Sequence, residues 1–349
     1  MKYYGVVYDV GLRFTAGEPY SVEDFNRDLV RHDINVIAKD LHANSIRIEG
    51  EEIDRLVFAA REAHAAGLKV FFNPWKMNVH VRELPEYFYS AAKAAESLRQ
   101  DGLEIVFVSG CEITLFNEGV LPGSTLTERL GSMAELARDL EPGAANGKLA
   151  ELSKSLSTTL TEVVSAIRAN FKGEITYSAG TWESVDWDLF DIVGVDYYRN
   201  GESAKDYLLG LDKYRVKKPL VVMEVGSCTY EGAAARGAGG FMLLQGVEPD
   251  GSGRFMDNVV PTRSEEEQAS YVREQLELLH GAGVDGVFIY VFSFPKYPTG
   301  EGAKDLDMMS FSLVKTFSPG DPRASQILPW APKKSFNAVA DFFKSLQGT

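Results

Sequence analysis

Two glutamates stand where a carboxylate is hard to accommodate. Glu112 closes the run VFVSGCE and Glu224 closes LVVME. A carboxylate directly after a strongly apolar run is costly to bury unless it faces a partly solvated site that supplies partners. Two carboxylates opposed across a cleft are the groups that cleavage of a glycosidic bond requires. One protonates the leaving oxygen, and the other attacks the anomeric carbon or activates water. Either glutamate alone could instead pair with Arg47 or Lys76 in a stabilising network. The elements that carry the two residues distinguish these readings.

Short β-branched and aromatic runs alternate with amphipathic helical sequence along the whole chain. The runs are 4–9, 45–49, 69–75, 104–113, 174–178, 191–198, 219–225 and 286–292. Helical patterning fills most of the gaps. Ser21 and Asp24 form a cap-like start. Ile53, Leu56, Val57 and Ala60 recur at helical spacing before Gly67. Helices are predicted over 84–100, 127–140, 149–170, 203–211 and 334–346. Ser264 and Glu267 make a capping box for a helix running to His280. Several runs are apolar throughout, as strands buried on both faces must be.

Eight β/α units in 349 residues predict an α/β fold, a single (β/α)8 TIM barrel over residues 1–349. Long loops follow the fourth, seventh and eighth strands, and the first two are insertions at 114–147 and 226–263. A doubly wound sheet would need a glycine-rich phosphate turn after the first strand, and VYDVGLRF has one glycine there.

Such barrels build their sites at the C-terminal ends of the strands. The polar and aromatic residues predicted there are Asp9, then Arg47 and Glu49, then Asn73, Trp75 and Lys76. Cys111 and Glu112 follow, then Thr181 and Trp182, and then Asp196, Tyr197, Tyr198 and Arg199. Glu224, Phe292 and Phe294 complete the ring. The fourth and seventh strands lie across the mouth from each other, so Glu112 and Glu224 are expected to face. Trp75, Trp182, Tyr197, Phe292 and Phe294 are candidate platforms for the apolar faces of sugar rings. Asn73 can bind a hydroxyl or serve the turn before Pro74.

In this layout the chain resembles the clan-A retaining glycoside hydrolases, (β/α)8 barrels whose acid/base Glu ends the fourth strand and whose nucleophile ends the seventh. The resemblance implies Glu112 as acid/base and Glu224 as nucleophile. VDYYRN is similar to the Asn-Tyr-Tyr run of β-glucosidase-like members, which implies Tyr198, with Tyr197 as second choice, as the hydrogen-bond partner of the nucleophile. An Arg ending the second strand usually approaches the nucleophile, and Arg47 fits. Two positions depart from the pattern. Cys111 stands where the clan has the Asn that reads the sugar 2-hydroxyl, and Phe292 or Phe294 stands in for a Trp. A literal Asn-Glu pair occurs only past the strand end, at Asn117–Glu118. The chain is also similar to barrel proteins labelled abortive infection, a label without chemical content.

Composition narrows the partners. A net charge of −14 repels nucleic-acid phosphates and anionic membranes. Two cysteines make no disulfide framework and suit a reducing compartment. Asp9 and Arg13 interrupt any apolar core of an export signal, and the longest apolar stretch, 287–292, is far short of the roughly 20 residues of a spanning helix. A cytoplasmic location is expected. The five histidines lack metal-ligand spacing, and neither a GxSxG elbow nor a P-loop occurs. No metal or organic cofactor is implied. A catalytic Cys111 would need His80 as its base. The expected substrate is therefore a small glycoside or oligosaccharide. The competing readings are a non-catalytic barrel that binds a carbohydrate or a protein, and a transglycosidase using the same residues.

Overall fold

The computed structural model describes residues 1–138, 145–326 and 328–347. Its barrel strands are β1 (Tyr3–Asp9), β2 (Ser45–Gly50), β3 (Lys69–Pro74), β4 (Ile105–Cys111), β5 (Glu174–Gly180), β6 (Val193–Asp196) and β7 (Leu220–Val225). The hairpin β8 (Leu244–Val247) and β9 (Gly253–Phe255) lies within the second insertion. β10 (Gly286–Ile289) is the eighth barrel strand. Every barrel strand is parallel to its neighbours, and pairing of Tyr3 with Gly286 through Val6 with Ile289 closes the cylinder. The predicted (β/α)8 barrel is the observed fold.

The α-helices are α1 (Arg27–Lys39), α2 (Ile53–Ala65), α3 (Leu84–Gln100), α4 (Ile113–Phe116), α5 (Leu126–Arg138), α6 (Ala145–Arg168), α7 (Ala204–Gly210), α8 (Glu265–Gly281), α9 (Pro322–Gln326) and α10 (Lys334–Leu346). The last two residues of the helix predicted over 127–140 lie outside the described residues. α1 begins later than its sequence signal. Asn26 caps it by accepting from the Asp28 and Leu29 amides, while Ser21 accepts from Leu12 N and pins the loop after β1. Ser264 caps α8 as its capping box predicts. Among the described residues, no helix is long and apolar enough to cross a membrane.

Strand parity divides the core in two. Tyr3, Val7, Phe71, Val106, Val108, Val221, Met223 and Phe288 fill the inside of the barrel as one apolar plug. The alternate residues, among them Val6, Tyr8, Ile46, Ile48, Val70 and Phe72, pack against Ile34, Leu56, Ala60 and Phe88 of the helices. Register places Arg47 between Val7 and Phe71, and two residues further on it sets Asp9, Glu49 and Asn73 side by side. Because side chains alternate along a strand, those three also point inward, above the plug. The apolar plug is thus capped by a polar layer at the C-terminal rim.

The insertion after β7 is braced rather than loose. Cys228, Tyr230, Phe255, Met308 and Met309 form a small core of their own. Beside it the fully buried Lys333 lies 2.9 Å from Asp307, which also meets Arg263 at 3.0 Å. Arg263 reaches Asp305 and Glu265 as well, and Lys333 donates to Thr229. This network ties the segment after the Glu224 strand to the chain after β10 and to the start of α10. Breaking a buried pair leaves a charge uncompensated. Lys333→Met is therefore expected to remove about 3 kcal/mol of folding stability. Urea denaturation would read this as a lower midpoint at an unchanged slope; an unchanged midpoint would show that Arg263 alone satisfies Asp307.

Candidate active site

The turn that carries Glu112 is built by the backbone. Strand register slips between Val108 and Cys111, Gly110 takes φ +122°, and Glu112 itself is left-handed at φ 42°. A side chain at position 110 would also strike Ile113 at 2.8 Å. A non-glycine residue in this region is strained and persists only when its surroundings over-determine it. They do so here. Glu112 N donates to Ser178 O, Leu115 N and Phe116 N donate to Glu112 O, and Tyr177 OH accepts from Ile113 N. Glu183 accepts from both the amide and hydroxyl of Thr114 and from Tyr177. The result leaves the Glu112 side chain half-buried at the rim.

Glu224 is held from several sides. Arg47 Nη1 donates to its Oε1 at 3.0 Å and to Met223 O at 3.0 Å. Tyr198 OH donates to its Oε2 at 2.9 Å, and the Cys111 thiol lies 3.6 Å from Oε1. Asp196, beside Glu224 in the register, accepts from Ser178 at 2.6 Å and from Cys111 at 3.5 Å. Arg47 is fully buried and is also within 3.5 Å of Glu49 and 3.8 Å of Asp196. Cys111, Asp196 and Glu224 would present three ligand atoms within 4.8 Å of one another. The positive charge at this cluster is the Arg47 guanidinium.

The two glutamates live in different electrostatic settings. Glu224 is paired with a cation. Among the described residues no cation lies within ion-pair distance of Glu112, and burial, then the charges of Asp196 and Glu224, push its carboxyl well above the usual range. Glu112 therefore holds its proton to higher pH than an ordinary carboxyl. Asp196 is itself raised by burial and by Glu224, against the opposing pull of Arg47, Ser178 and Cys111. Once ionised, Asp196 opposes the ionisation of Glu112, so Asp196→Asn lets the Glu112 proton leave at lower pH. If Glu112 is the acid, activity falls as pH rises through its pKa, and this variant is expected to move the basic limb of the kcat/KM profile to lower pH. A limb that stays put would dissociate Glu112 from that ionisation.

The remaining predicted residues divide. Trp75 is buried, packs edge-on to Phe116 and joins a cluster with Cys111 and Leu12. Asn73 is fully buried in the polar layer. Trp182 is 41% exposed on the rim, and its Nε1 donates to Thr114 Oγ1 beside the Glu112 turn. Phe294 is half-buried between Phe14 and Tyr297.

Two aromatic residues do not join the site. Tyr197 OH donates to Tyr207 O, and its ring packs on Tyr207 in the outer core, so Tyr198 alone meets Glu224. Phe292 is fully buried against Trp330 and Tyr8, because β10 ends at Ile289 and the chain then turns Phe292 to the helix side. Neither is placed to be a sugar platform.

Asn117, Glu118 and His80 have structural roles. Asn117 donates to Lys76 O and Val79 O, and Glu118 bridges to His80, so this pair anchors a loop. His80 Nδ1 accepts from Arg82 N, and the Cys111 thiol is pushed well above its ordinary pKa by burial and by Asp196. The thiol is a hydrogen-bond donor here. In the second insertion Phe255 is buried in its own small core, while Met242 and Arg254 remain outside, Met242 exposed and Arg254 paired with Glu248.

No family model and no curated protein matches the chain by sequence. Solved structures do match in shape. A GH113 β-mannanase from Alicyclobacillus acidocaldarius superposes with a TM-score of 0.54 at 15% identity, over 98% of this chain and 97% of the other. Fpglu1 from a Fervidobacterium superposes at 0.59 with 12% identity, over 99% and 95%. A β-glucuronidase from Ruminococcus gnavus superposes at 0.53 with 14% identity, over 98% of this chain and 49% of the enzyme. These likenesses show the fold.

Sequence pattern puts Asp196, Glu49 and Asp9 at the rim without giving them a role, and it does not point to Glu183. A signal for Glu49 is present: Arg47 and Glu49 are two residues apart on one strand, so one buried face must hold both. Glu183 carries no such signal, since its value lies in clamping Thr114, 69 residues away in sequence.

Proposed function

We propose that this protein is a retaining glycoside hydrolase acting on a small glycoside or oligosaccharide. The observation that carries the reading is one rim with two differently prepared carboxyls. Glu224 is oriented by Arg47 and Tyr198, and the Glu112 carboxyl is pushed up by burial and by the charges of Asp196 and Glu224. Pairs of titratable groups whose environments differ in this way mark acid and nucleophile.

In the first step a Glu224 oxygen attacks the anomeric carbon, the glycosidic C–O bond breaks, and the Glu112 proton passes to the leaving oxygen. In the second step Glu112, now a carboxylate, takes a proton from water. The water oxygen attacks the anomeric carbon and releases Glu224. Cys111 directs its thiol to Glu224 and Asp196, so 2-hydroxyl recognition by an Asn at that position is replaced. The fold neighbours include a β-mannanase and a β-glucuronidase, which supports carbohydrate chemistry without choosing the sugar. Two free thiols, both buried, and the acidic composition suit the cytoplasm. The abortive-infection resemblance adds nothing to the chemistry.

The test is a panel of nitrophenyl α- and β-glycosides, with the first-formed product anomer read by NMR. Turnover with retained configuration supports the reading. Inverted configuration would mean that Glu224 activates water instead, and a new glycoside as product would make the protein a transglycosidase. A silent panel would favour the carbohydrate-binding barrel.

A further inference from the structure

A third buried carboxyl beside the rim has no part in the two-step mechanism. Glu183 stands three residues past the end of β5. Its Oε1 accepts from Thr114 N at 3.1 Å and from Thr114 Oγ1 at 2.7 Å, and its Oε2 accepts from Gly180 N at 3.0 Å. The Tyr177 hydroxyl donates to it at 2.9 Å and itself accepts from Ile113 N at 2.8 Å. The groups that stabilise the Glu183 charge are amides and hydroxyls, with no cation among them, and burial pushes its carboxyl up to about 7 against their pull. A buried carboxyl held only by neutral donors is a costly way to anchor a loop.

Its partners show what it holds. α4 begins directly after Glu112, and the first amides of a helix have no partner inside it. Leu115 N and Phe116 N turn back to Glu112 O. The two amides left over, Ile113 N and Thr114 N, go to Tyr177 and Glu183. They belong to the peptides that follow Glu112, whose backbone is left-handed at φ 42° and ψ 47°. Such a conformation in a non-glycine residue relaxes unless its flanking peptides are pinned. Glu112 N on Ser178 O pins one side, and Glu183 with Tyr177 pins the other.

We propose that Glu183 is the positioning residue of Glu112: acting through Thr114 and Tyr177, it holds the left-handed turn that aims the Glu112 carboxyl at the leaving oxygen. The catalytic consequence rests on the glycosidase reading above, whereas the hold of Glu183 on Glu112 stands apart from it. The clamp reaches the surface at Trp182, whose Nε1 donates to the same Thr114 hydroxyl at 3.0 Å and whose ring lies close over Gly180. Glu183 also acts on Glu112 through space. The charged groups that face Glu112 are Asp196 from β6, Glu224 from β7 and Glu183 from the loop after β5, which push its carboxyl up once ionised, and Arg47 from β2, which pulls it down. Removing the Glu183 charge therefore lets the Glu112 proton leave at lower pH.

The experiment compares Glu183→Gln, Glu183→Ala and Thr114→Val in the full-length protein, with far-UV circular dichroism to identify the folded variants. One readout needs no turnover. Carboxyl ¹³C NMR of glutamate-labelled protein follows the Glu112 titration, its signal assigned by its loss in Glu112→Gln. The Glu112 midpoint is expected to fall in both position-183 variants. The second readout is kcat/KM on alkyl and on dinitrophenyl glycosides. Glu183→Ala should lose about 10²-fold on the alkyl glycosides, as for a misplaced catalytic group, and tenfold less on the dinitrophenyl ones, whose departure needs no proton. Glutamine can keep its carbonyl on Thr114, but its NH₂ meets the Gly180 amide donor to donor, so Glu183→Gln should lose less than Glu183→Ala. Thr114→Val cuts the hydroxyl link and leaves the Glu183 charge in place. It should show the same leaving-group split, and it carries the test if neither position-183 variant folds.

A Glu112 midpoint that stays put in folded position-183 variants, or losses equal for both leaving groups, would overturn the inference, since a merely structural role lowers all rates together. The two readings can fail separately. A shifted Glu112 midpoint in a protein that cleaves no glycoside would keep the hold of Glu183 on Glu112 and sink the hydrolase. Turnover that Glu112→Gln impairs and Glu183→Ala leaves untouched would do the reverse.

Discussion

Replacing Glu224 by Gln is expected to lower kcat/KM on the order of 10⁵-fold, and replacing Glu112 by Gln to lower it about 10²–10⁴-fold in a way that depends on the leaving group. The amide is nearly isosteric with the carboxylate. At position 224 it can still present an oxygen to Arg47 and turn its NH₂ to the Tyr198 hydroxyl, the two partners that hold Glu224. The fold should survive while the proposed nucleophile is lost.

The two variants should differ in kind. Without Glu112 no proton reaches the leaving oxygen, so alkyl glycosides should suffer the full loss. A dinitrophenyl glycoside needs no proton and should show an initial burst followed by slow turnover, because the second step also lacks its base. Azide added to Glu224→Ala should restore cleavage and give a glycosyl azide of opposite configuration to the substrate. Added to Glu112→Ala, it should give one of the same configuration. Equal losses for all leaving groups in Glu112→Gln would sink its assignment as the acid. An active Glu224→Gln would place the nucleophile elsewhere.

That these two positions could be read as strand ends from the sequence has a physical reason. A carboxylate at the end of an apolar run signals a strand end that must meet solvent or a partner, and both glutamates sit at such ends. The barrel was legible for the related reason that strands buried on both faces have no polar side to hide. What was lost depended on exit geometry. Tyr197 and Tyr198 are adjacent, so opposite sides receive them, and which side depends on the register slip between Val195 and Asp196. Phe292 lay inside the apolar run 286–292, but β10 ends at Ile289 and parity is not kept beyond it.

The hairpin Leu244–Val247 with Gly253–Phe255 was hidden inside what read as a plain loop, although the Pro-Asp-Gly between its strands is a turn signal. The left-handed Glu112 follows from clamps by Ser178, Tyr177 and Glu183, all more than 60 residues away in sequence. Local pattern cannot carry contacts of that kind.

Arg47 is the residue on which both the stability of the rim and the proposed chemistry are expected to depend. It is fully buried and stands within 4 Å of three carboxyls, Glu224, Glu49 and Asp196. Their charges hold its guanidinium well above its ordinary pKa against the pull of burial. Arg47→Met removes the one positive charge that these groups share. The expected loss of stability at neutral pH is about 3–5 kcal/mol, the range for a buried charge deprived of its partner. The expected loss in kcat/KM is about 10²–10³-fold, as for removal of one preorganised charge at a reacting centre.

The stability loss should itself depend on pH. Burial raises Glu49 and Asp196 above their unfolded values, and Arg47 opposes that rise in both. Without Arg47 both rise further. A carboxyl raised in the folded state favours folding while it is protonated, and that contribution is lost as pH climbs from the unfolded pKa, near 4, through the folded one. The deficit of the variant should therefore be small at pH 4–5 and large at pH 8. Arg47→Lys keeps the charge but cannot place one nitrogen on Glu224 and Met223 O and another toward Glu49, as Nη1 and Nη2 do. It should recover stability more than activity. Urea midpoints at the two pH values, beside kinetics for both variants, make the test. A methionine variant as stable as the parent at pH 8, or a deficit that does not change with pH, would show that Glu49 and Asp196 are already neutral and that Arg47 serves only to orient Glu224.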